Sequence, residues 1–199
     1  MNERMQAEHS ALVLVDYQQR LMPMIDRGAE VLALGVKLGE VARELGVPVL
    51  GTEQNPRGLG ANADAVRALC SQTMAKMHFN ACEDGLLALL RTARTPAPTD
   101  VVVAGCEAHV CLLQTTLGLL RAGYRVWVVA DACGSRLASN HALAMERLRE
   151  AGARIVSFEM VAFEWLNSCE HPRFRAVLPV LKLPPAPATA VAESPLAEA

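Results

Sequence analysis

Several features that would direct the reading elsewhere are missing from this chain. It has no run of lysines or arginines, and 19 Lys and Arg against 21 Asp and Glu leave a net charge of -2. The electrostatic footprint of a nucleic-acid binder is therefore absent. No segment offers the ~18 uninterrupted apolar residues of a membrane-spanning helix. The opening residues, M-N-E-R-M-Q-A-E-H-S, are polar and carry acids, unlike the basic start and apolar core of a secretory signal. Six cysteines are present, Cys70, Cys82, Cys106, Cys111, Cys133 and Cys169, but none form a Cys-x-x-Cys pair. Neither a disulfide framework nor a paired zinc knuckle is expected. No G-x-G-x-x-G follows the first apolar run, where Asp16-Tyr17-Gln18-Gln19 stands instead, which argues against a dinucleotide site. There is no internal repeat. The expectation is a cytoplasmic protein with reduced thiols that binds neither nucleic acid nor membrane.

What is present is a regular alternation of two hydrophobic periods. With 52% hydrophobic and 20% charged residues over 199 positions, the chain suits one domain with a full core. Ala11 to Val15 is a short apolar run ending at Asp16. Ala29 to Leu45 then places Val31, Leu34, Leu38, Val41, Ala42 and Leu45 at helical spacing, and Gly46 stands where that helix would stop. Val47 to Leu50 begins a second strand before a Pro- and Gly-rich loop from Glu53 to Gly60. Further along, Ala63 to Cys70 reads as helix, Thr73 to Lys76 as strand, Glu83 to Arg94 as helix and Val101 to Ala104 as strand. Cys111 to Ala122 reads as helix, Arg125 to Ala130 as strand, His141 to Ala151 as helix and Arg154 to Phe158 as a sixth strand. Strands alternating with helices imply an α/β fold whose mainly parallel six-stranded sheet is open, doubly wound and covered on both faces. One domain is expected over residues 1–182. The Pro- and Ala-rich segment 183–199 lacks large apolar residues and is expected to be a flexible tail.

In such a sheet ligands bind beyond the carboxyl ends of the strands, and three ionisable residues sit there. Asp16 follows the first strand, Lys76 ends the third, and Cys111 follows the fourth in V-V-V-A-G-C-E-A-H-V-C-L-L-Q-T, residues 101–115. A thiol where strand turns to helix meets unpaired backbone N–H groups and the helix dipole, which favour the reactive thiolate. Each residue alone has a plain structural explanation: a turn-capping acid, a solvated amine, a buried thiol packing as a small hydrophobe. Together they form a working set for acyl chemistry, in which Asp16 takes the thiol proton and Lys76 favours the thiolate and holds the carboxylate ionised. Cys106, His109 and Cys111 also invite a zinc reading, but their spacing is wrong and no second cluster supplies a fourth ligand.

These residues lie in motifs that resemble the isochorismatase-like cysteine hydrolase superfamily, and within it the isochorismatase-domain proteins of unassigned substrate. The motifs are L-V-D-Y-Q-Q at 14–19, T-E-Q-N-P-R-G-L-G at 52–60, K-M-H-F at 76–79, G-C-E-A-H-V-C at 105–111, V-A-D-A at 129–132 and H-P-R-F at 171–174. The resemblance implies a three-layer α/β/α fold and a catalytic triad of Asp16, Lys76 and Cys111. It also implies a non-proline cis peptide between Cys106 and Glu107, an oxyanion hole of the Glu107 and Cys111 backbone N–H groups, and a homo-oligomer. The expected activity is hydrolysis of a small amide or related C–N carbonyl substrate through a Cys111 thioester. Nicotinamidases of the superfamily hold a metal after the second strand with Asp and His ligands. Here Thr52-Glu53-Gln54-Asn55 has no histidine, and Glu53 among amides is a poor site, so no metal and no cofactor are expected. True isochorismatases lack the nucleophilic cysteine and cleave a vinyl ether, so Cys111 also argues against that reaction.

Tyr17, Leu21, Gln54, Phe79 and His109 lie in or beside the motifs and are candidates to line the substrate pocket. Trp127 falls inside a strand and is expected to be packing, whereas Phe163 and Trp165 are candidates for a subunit contact. The competing class is a non-catalytic oligomeric binding or regulatory protein that keeps the fold, and the activation state of Cys111 separates the two.

Overall fold

A computed structural model describes residues 4–182; the tail expected at 183–199 lies outside the described residues. Six strands, β1 (Ser10–Val15), β2 (Val49–Gln54), β3 (Gln72–Lys76), β4 (Asp100–Cys106), β5 (Arg125–Gly134) and β6 (Arg154–Val156), form one sheet in the order β3-β2-β1-β4-β5-β6. Every pairing is parallel. Strand order reverses between β1 and β4, which is the switch point where an open α/β sheet leaves a crevice.

Alternation along the central strands sorts the core into two halves. Leu12, Leu14, Trp127 and Val129 pack with Leu38 and Val41 of α1 (Gly28–Glu44), Val161 of α7 (Phe158–Leu166) and Val177 of α8 (Phe174–Leu181). Val13, Val101, Val103 and Val128 pack on the other face with Leu90 of α4 (Leu86–Thr92), Leu119 of α5 (Leu113–Arg121) and Leu148 of α6 (Ala138–Glu150). Two one-turn helices, α2 (Pro56–Leu59) and α3 (Asp64–Arg67), complete the β2–β3 connection. The result is a three-layer α/β/α sandwich. Among the described residues no helix is long and apolar enough to cross a membrane.

Where the elements differ from the sequence reading, a local cause is visible. The helix expected from Glu83 begins at Leu86, because Gly85 takes a left-handed conformation (φ +113) that ends the preceding short turn. The sixth strand stops at Val156: the Ser157 hydroxyl accepts the Met160 N–H at 3.3 Å, so Phe158 opens α7 rather than ending a strand. Helices α7 and α8 were not anticipated. β5 runs four residues past Ala130, with a register shift against β4 between Val103 and Gly105. Trp165, expected at a subunit contact, is buried instead and donates its indole N–H to the Ser10 hydroxyl at 3.1 Å; Phe163 of the same helix remains half exposed. Trp127 is core, its N–H donated to Asp100 at 2.9 Å.

One glycine decides how closely the central strands meet. Gly105 pairs with Val15 across the switch point and has φ +138. A Cβ there would lie 2.0 Å from the Val15 carbonyl oxygen, so no other residue fits without moving β1 or β4.

Candidate functional site

Asp16 is the first residue beyond β1 and adopts φ 51, a left-handed conformation that aspartate tolerates better than most residues. It is held there by its backbone N–H, donated to the Thr52 carbonyl at 3.1 Å, and by its Oδ1, which accepts the Thr52 hydroxyl at 2.7 Å. Its Oδ2 lies 2.8 Å from Lys76 Nζ, and both side chains are fully excluded from solvent.

Lys76 ends β3, two strands away, and its ammonium must satisfy three donors in a dry site. Besides Asp16 it contacts Gln54 Oε1 at 2.7 Å and the carbonyls of His78 and Phe79 at 3.5 Å each. Gln54 is fixed at every polar atom. Its Nε2 donates to the Met77 carbonyl at 2.8 Å, and its backbone N–H and carbonyl pair with the Gln18 side chain at 2.9 and 3.0 Å. With the amide N–H spent on Met77, Oε1 necessarily faces Lys76.

The third member enters from β4. The peptide between Cys106 and Glu107 is cis, and the chain then forms a single π-helical turn, Ala108–Leu112, before α5. Cys111 sits near the end of this wide turn, 6% exposed. Its thiol lies 3.9 Å from Gln54 Oε1 and faces both the Asp16 carboxylate and the Lys76 ammonium. Three strand ends thus bring Asp16, Lys76 and Cys111 together, with Gln54 as a fourth partner.

The charge state of the thiol differs from the sequence expectation. Burial pushes Cys111 up to about 12, the Asp16 carboxylate adds to the rise, and Lys76 opposes it. A thiol this deep loses hydration and faces a carboxylate as well as an amine, and these outweigh its place at a helix start. Burial thus favours the thiol over the thiolate, and the Asp16 carboxylate faces it.

The turn that carries Cys111 is braced from the β5–α6 loop. The Glu107 carboxylate accepts the Arg136 backbone N–H and its Nε, both at 3.0 Å. His109 Nδ1 lies 3.0 Å from the Ser135 hydroxyl and its Nε2 3.4 Å from Asn140 Nδ2. His109 therefore serves as a strut of this loop.

The remaining candidates divide. Phe79 is half exposed on the loop whose carbonyls contact Lys76. Tyr17 and Leu21 are not brought to the cluster: they pack with the α1 half of the core, whereas Cys111 packs with the α5 half. The Tyr17 hydroxyl donates to the Ala132 carbonyl, and its ring fills the space over Gly35. Glu53 is occupied by the Asn62 N–H at 2.9 Å and lies 3.7 Å from Arg67 Nε. Among the described residues no group of His, Cys, Asp and Glu is placed to hold a metal. A pocket of about 240 Å³ lined by Asp26, Val31, Cys133, Ser135 and His141 lies beside the end of β5; none of the three cluster side chains lines it. Sequence reasoning missed Thr52, the hydroxyl on Asp16, although it precedes Glu53 and Gln54 in the T-E-Q motif.

Fold and cluster together define a doubly wound α/β protein with a buried acid, amine and thiol at the switch point. The isochorismatase domain family matches residues 10–160, and the chain belongs to that family. It is 34% identical over 175 residues to isochorismatase domain-containing protein 1 of Danio rerio, covering 87% of this chain and 61% of that protein's length. Among solved structures it is similar to the MAR1 ribonuclease of Caenorhabditis elegans, with TM-score 0.85 and 30% identity, covering 98% of this chain and 100% of the other. The YcaC gene product of Escherichia coli, described as an octameric hydrolase of unknown specificity, shares the fold with TM-score 0.82 and 22% identity over 89% and 88% of the two chains.

Proposed function

We propose that this protein is a cysteine-dependent hydrolase acting on a small amide or related C–N carbonyl substrate. The observation that carries the reading is the solvent-excluded Asp16–Lys76 pair at 2.8 Å with the Cys111 thiol facing both members. In the proposed reaction Asp16 takes the proton from Cys111 Sγ as the sulfur attacks the substrate carbonyl carbon. The negative charge that develops on the carbonyl oxygen is received by the backbone N–H groups of Glu107 and Cys111. The C–N bond then breaks, the amine leaves with the proton held by Asp16, and an acyl thioester remains. A water gives a proton to Asp16 as it attacks the thioester, the acid departs, and the proton returns to sulfur. Lys76 holds the Asp16 carboxylate in place through their 2.8 Å ion pair. A thiol at about 12 needs this transfer at the moment of attack, since little thiolate exists beforehand. Losing one oxyanion donor in such a site typically costs ~10²–10³ in rate.

The homo-oligomer expected from the resemblance is proposed here too, in line with the octamer described for the E. coli relative. A second reading has an observation in its favour: a thiol only 6% exposed also suits a binding protein that retains the fold without turnover.

The test is the site-resolved alkylation rate of all six cysteines across pH, with Asp16→Asn and Lys76→Met beside the unaltered protein, followed by an amide panel scored for released ammonia or amine. Cys111 reacting faster than the partly buried Cys70 and Cys82, in a manner changed by both substitutions, together with amine release, supports the hydrolase. Ordinary Cys111 reactivity and no release favour the binding protein. Single-stranded RNA belongs in the same panel, because the C. elegans relative is described as a ribonuclease.

A further inference from the structure

The ammonium of Lys76 is held partly by a loop, and that loop is fastened from outside. Three consecutive carbonyls of Met77, His78 and Phe79 point inward: the first accepts Gln54 Nε2 at 2.8 Å, and the next two contact Lys76 Nζ at 3.5 Å. Three consecutive peptide oxygens turned to one side require an irregular backbone, and a side chain that gathers its solvent-facing N–H groups fixes that arrangement where water alone would leave it free. One side chain does this. Asp84, at the end of the short turn Ala81–Asp84, accepts the Met77 N–H at 2.8 Å and the His78 N–H at 2.9 Å on Oδ2, and meets His78 Nδ1 at 2.9 Å on Oδ1.

We propose that Asp84 is a positioning residue for the Asp16–Lys76–Cys111 centre, acting as a clasp that turns the 77–79 carbonyls onto Lys76 and Gln54. It touches no reacting atom. The clasp aims the Lys76 ammonium, and the Gln54 amide that shares it, from a surface position. The groups facing the imidazole are Asp84 and, at 4.0 Å from Nε2, Glu83. The second acid turns instead to Asn80, whose Nδ2 it accepts at 3.0 Å, so Glu83 is the internal control. This inference rests on the reading of Cys111 as a nucleophile tuned by Lys76.

The experiment is the alkylation rate of Cys111 at pH 8 in the full chain, for Asp84→Ala, Asp84→Asn, Glu83→Gln and Lys76→Met, with Cys82 on the clasp's own turn as a local reference. A loosened loop lets Lys76 drift from the thiol and removes the charge that opposes its high pKa. Asp84→Ala is expected to slow Cys111 about tenfold, the equivalent of one pKa unit, with the Cys82 rate and the unfolding midpoint little changed. Asp84→Asn, which keeps the shape but accepts the two N–H groups more weakly, falls between, and Glu83→Gln matches the unaltered protein. A Cys111 rate within twofold of the unaltered protein overturns the proposal. A parallel change at Cys82 also overturns it, because the clasp would then be holding the turn together and nothing more. If Lys76→Met leaves Cys111 unaffected, the nucleophile reading fails and the clasp with it; if Lys76→Met acts and Asp84→Ala does not, only the clasp fails.

Discussion

Lys76 and His78, two residues apart in the chain, each pair with an acid, and the two pairs have almost the same geometry. Lys76 meets Asp16 at 2.8 Å with neither side chain exposed, and His78 meets Asp84 at 2.9 Å with side chains 59% and 21% exposed. Distance does not rank them; surroundings do. Water screens the outer pair and competes for it, so its worth lies in the two backbone N–H groups that Asp84 also collects. The inner pair has no water to fall back on, and each charge is tolerable only while the other is present. The chain passes from one regime to the other in two residues, at the point where β3 leaves the sheet.

The comparison is broken most severely by removing one inner charge. Lys76→Met leaves the Asp16 carboxylate buried without a cation and is expected to cost about 3–5 kcal/mol in chemical denaturation. Adding Asp16→Asn to the same chain is expected to restore part of that loss, because an uncharged pair needs no counter-ion. Losses that simply add would show that the two groups do not act as a pair. Thr52→Val comes next: it removes the hydroxyl donor at 2.7 Å from Asp16 Oδ1, and a buried hydrogen bond to a charged group is worth about 1.5–3 kcal/mol. An unfolding midpoint unchanged in Thr52→Val would mean that the neighbouring backbone supplies the donor instead.

Much of the fold was legible because it is written in periods. The apolar run at Ala11 to Val15 and the three- and four-residue spacing through Leu45 needed no tertiary knowledge, and β1 and α1 form almost where they were read. The extra strand length of β5 and the helices after Ser157 were not legible, since they depend on a register shift and on a cap. At the candidate site, the gathering of Asp16, Lys76 and Cys111 followed from their places at strand ends. The charge state of the thiol did not, because helix position is visible in sequence and burial depth is not. Gln54 was named for its motif alone, without its role as acceptor for Lys76. Asp84 left no sign: its carboxylate acts on backbone N–H groups, which every residue carries, so no pattern of side chains marks it.

Acidity sharpens the comparison further. The His78 ring, through its hydrogen bond and charge, holds the Asp84 carboxyl below its ordinary 3.8, and Asp84 in turn holds His78 above its ordinary 6.5. The carboxyl's contribution is present above 3.8 and lost as pH falls through its lowered value. The imidazole's contribution is present below 6.5 and lost as pH rises through its raised value. Protection of the Met77 and His78 amides against hydrogen exchange, corrected for the intrinsic rate, is therefore expected to be greatest between 3.8 and 6.5. Flat protection from pH 3 to 8 would show that the backbone bonds hold without the charges.

Salt separates the two pairs with the smallest effect. At 1 M ionic strength the screening length is about 3 Å, against about 10 Å at 0.1 M, so an exposed imidazolium loses much of its attraction to Asp84 and Glu83. The His78 titration, followed by ring proton shifts, is expected to move back toward 6.5 as salt rises. The alkylation profile of Cys111 should hold its position, because no ions enter between Asp16 and Lys76. A Cys111 profile that moves in step with His78 would mean that salt reaches the inner charges through the 77–79 loop, and that the two pairs are one electrostatic unit rather than two.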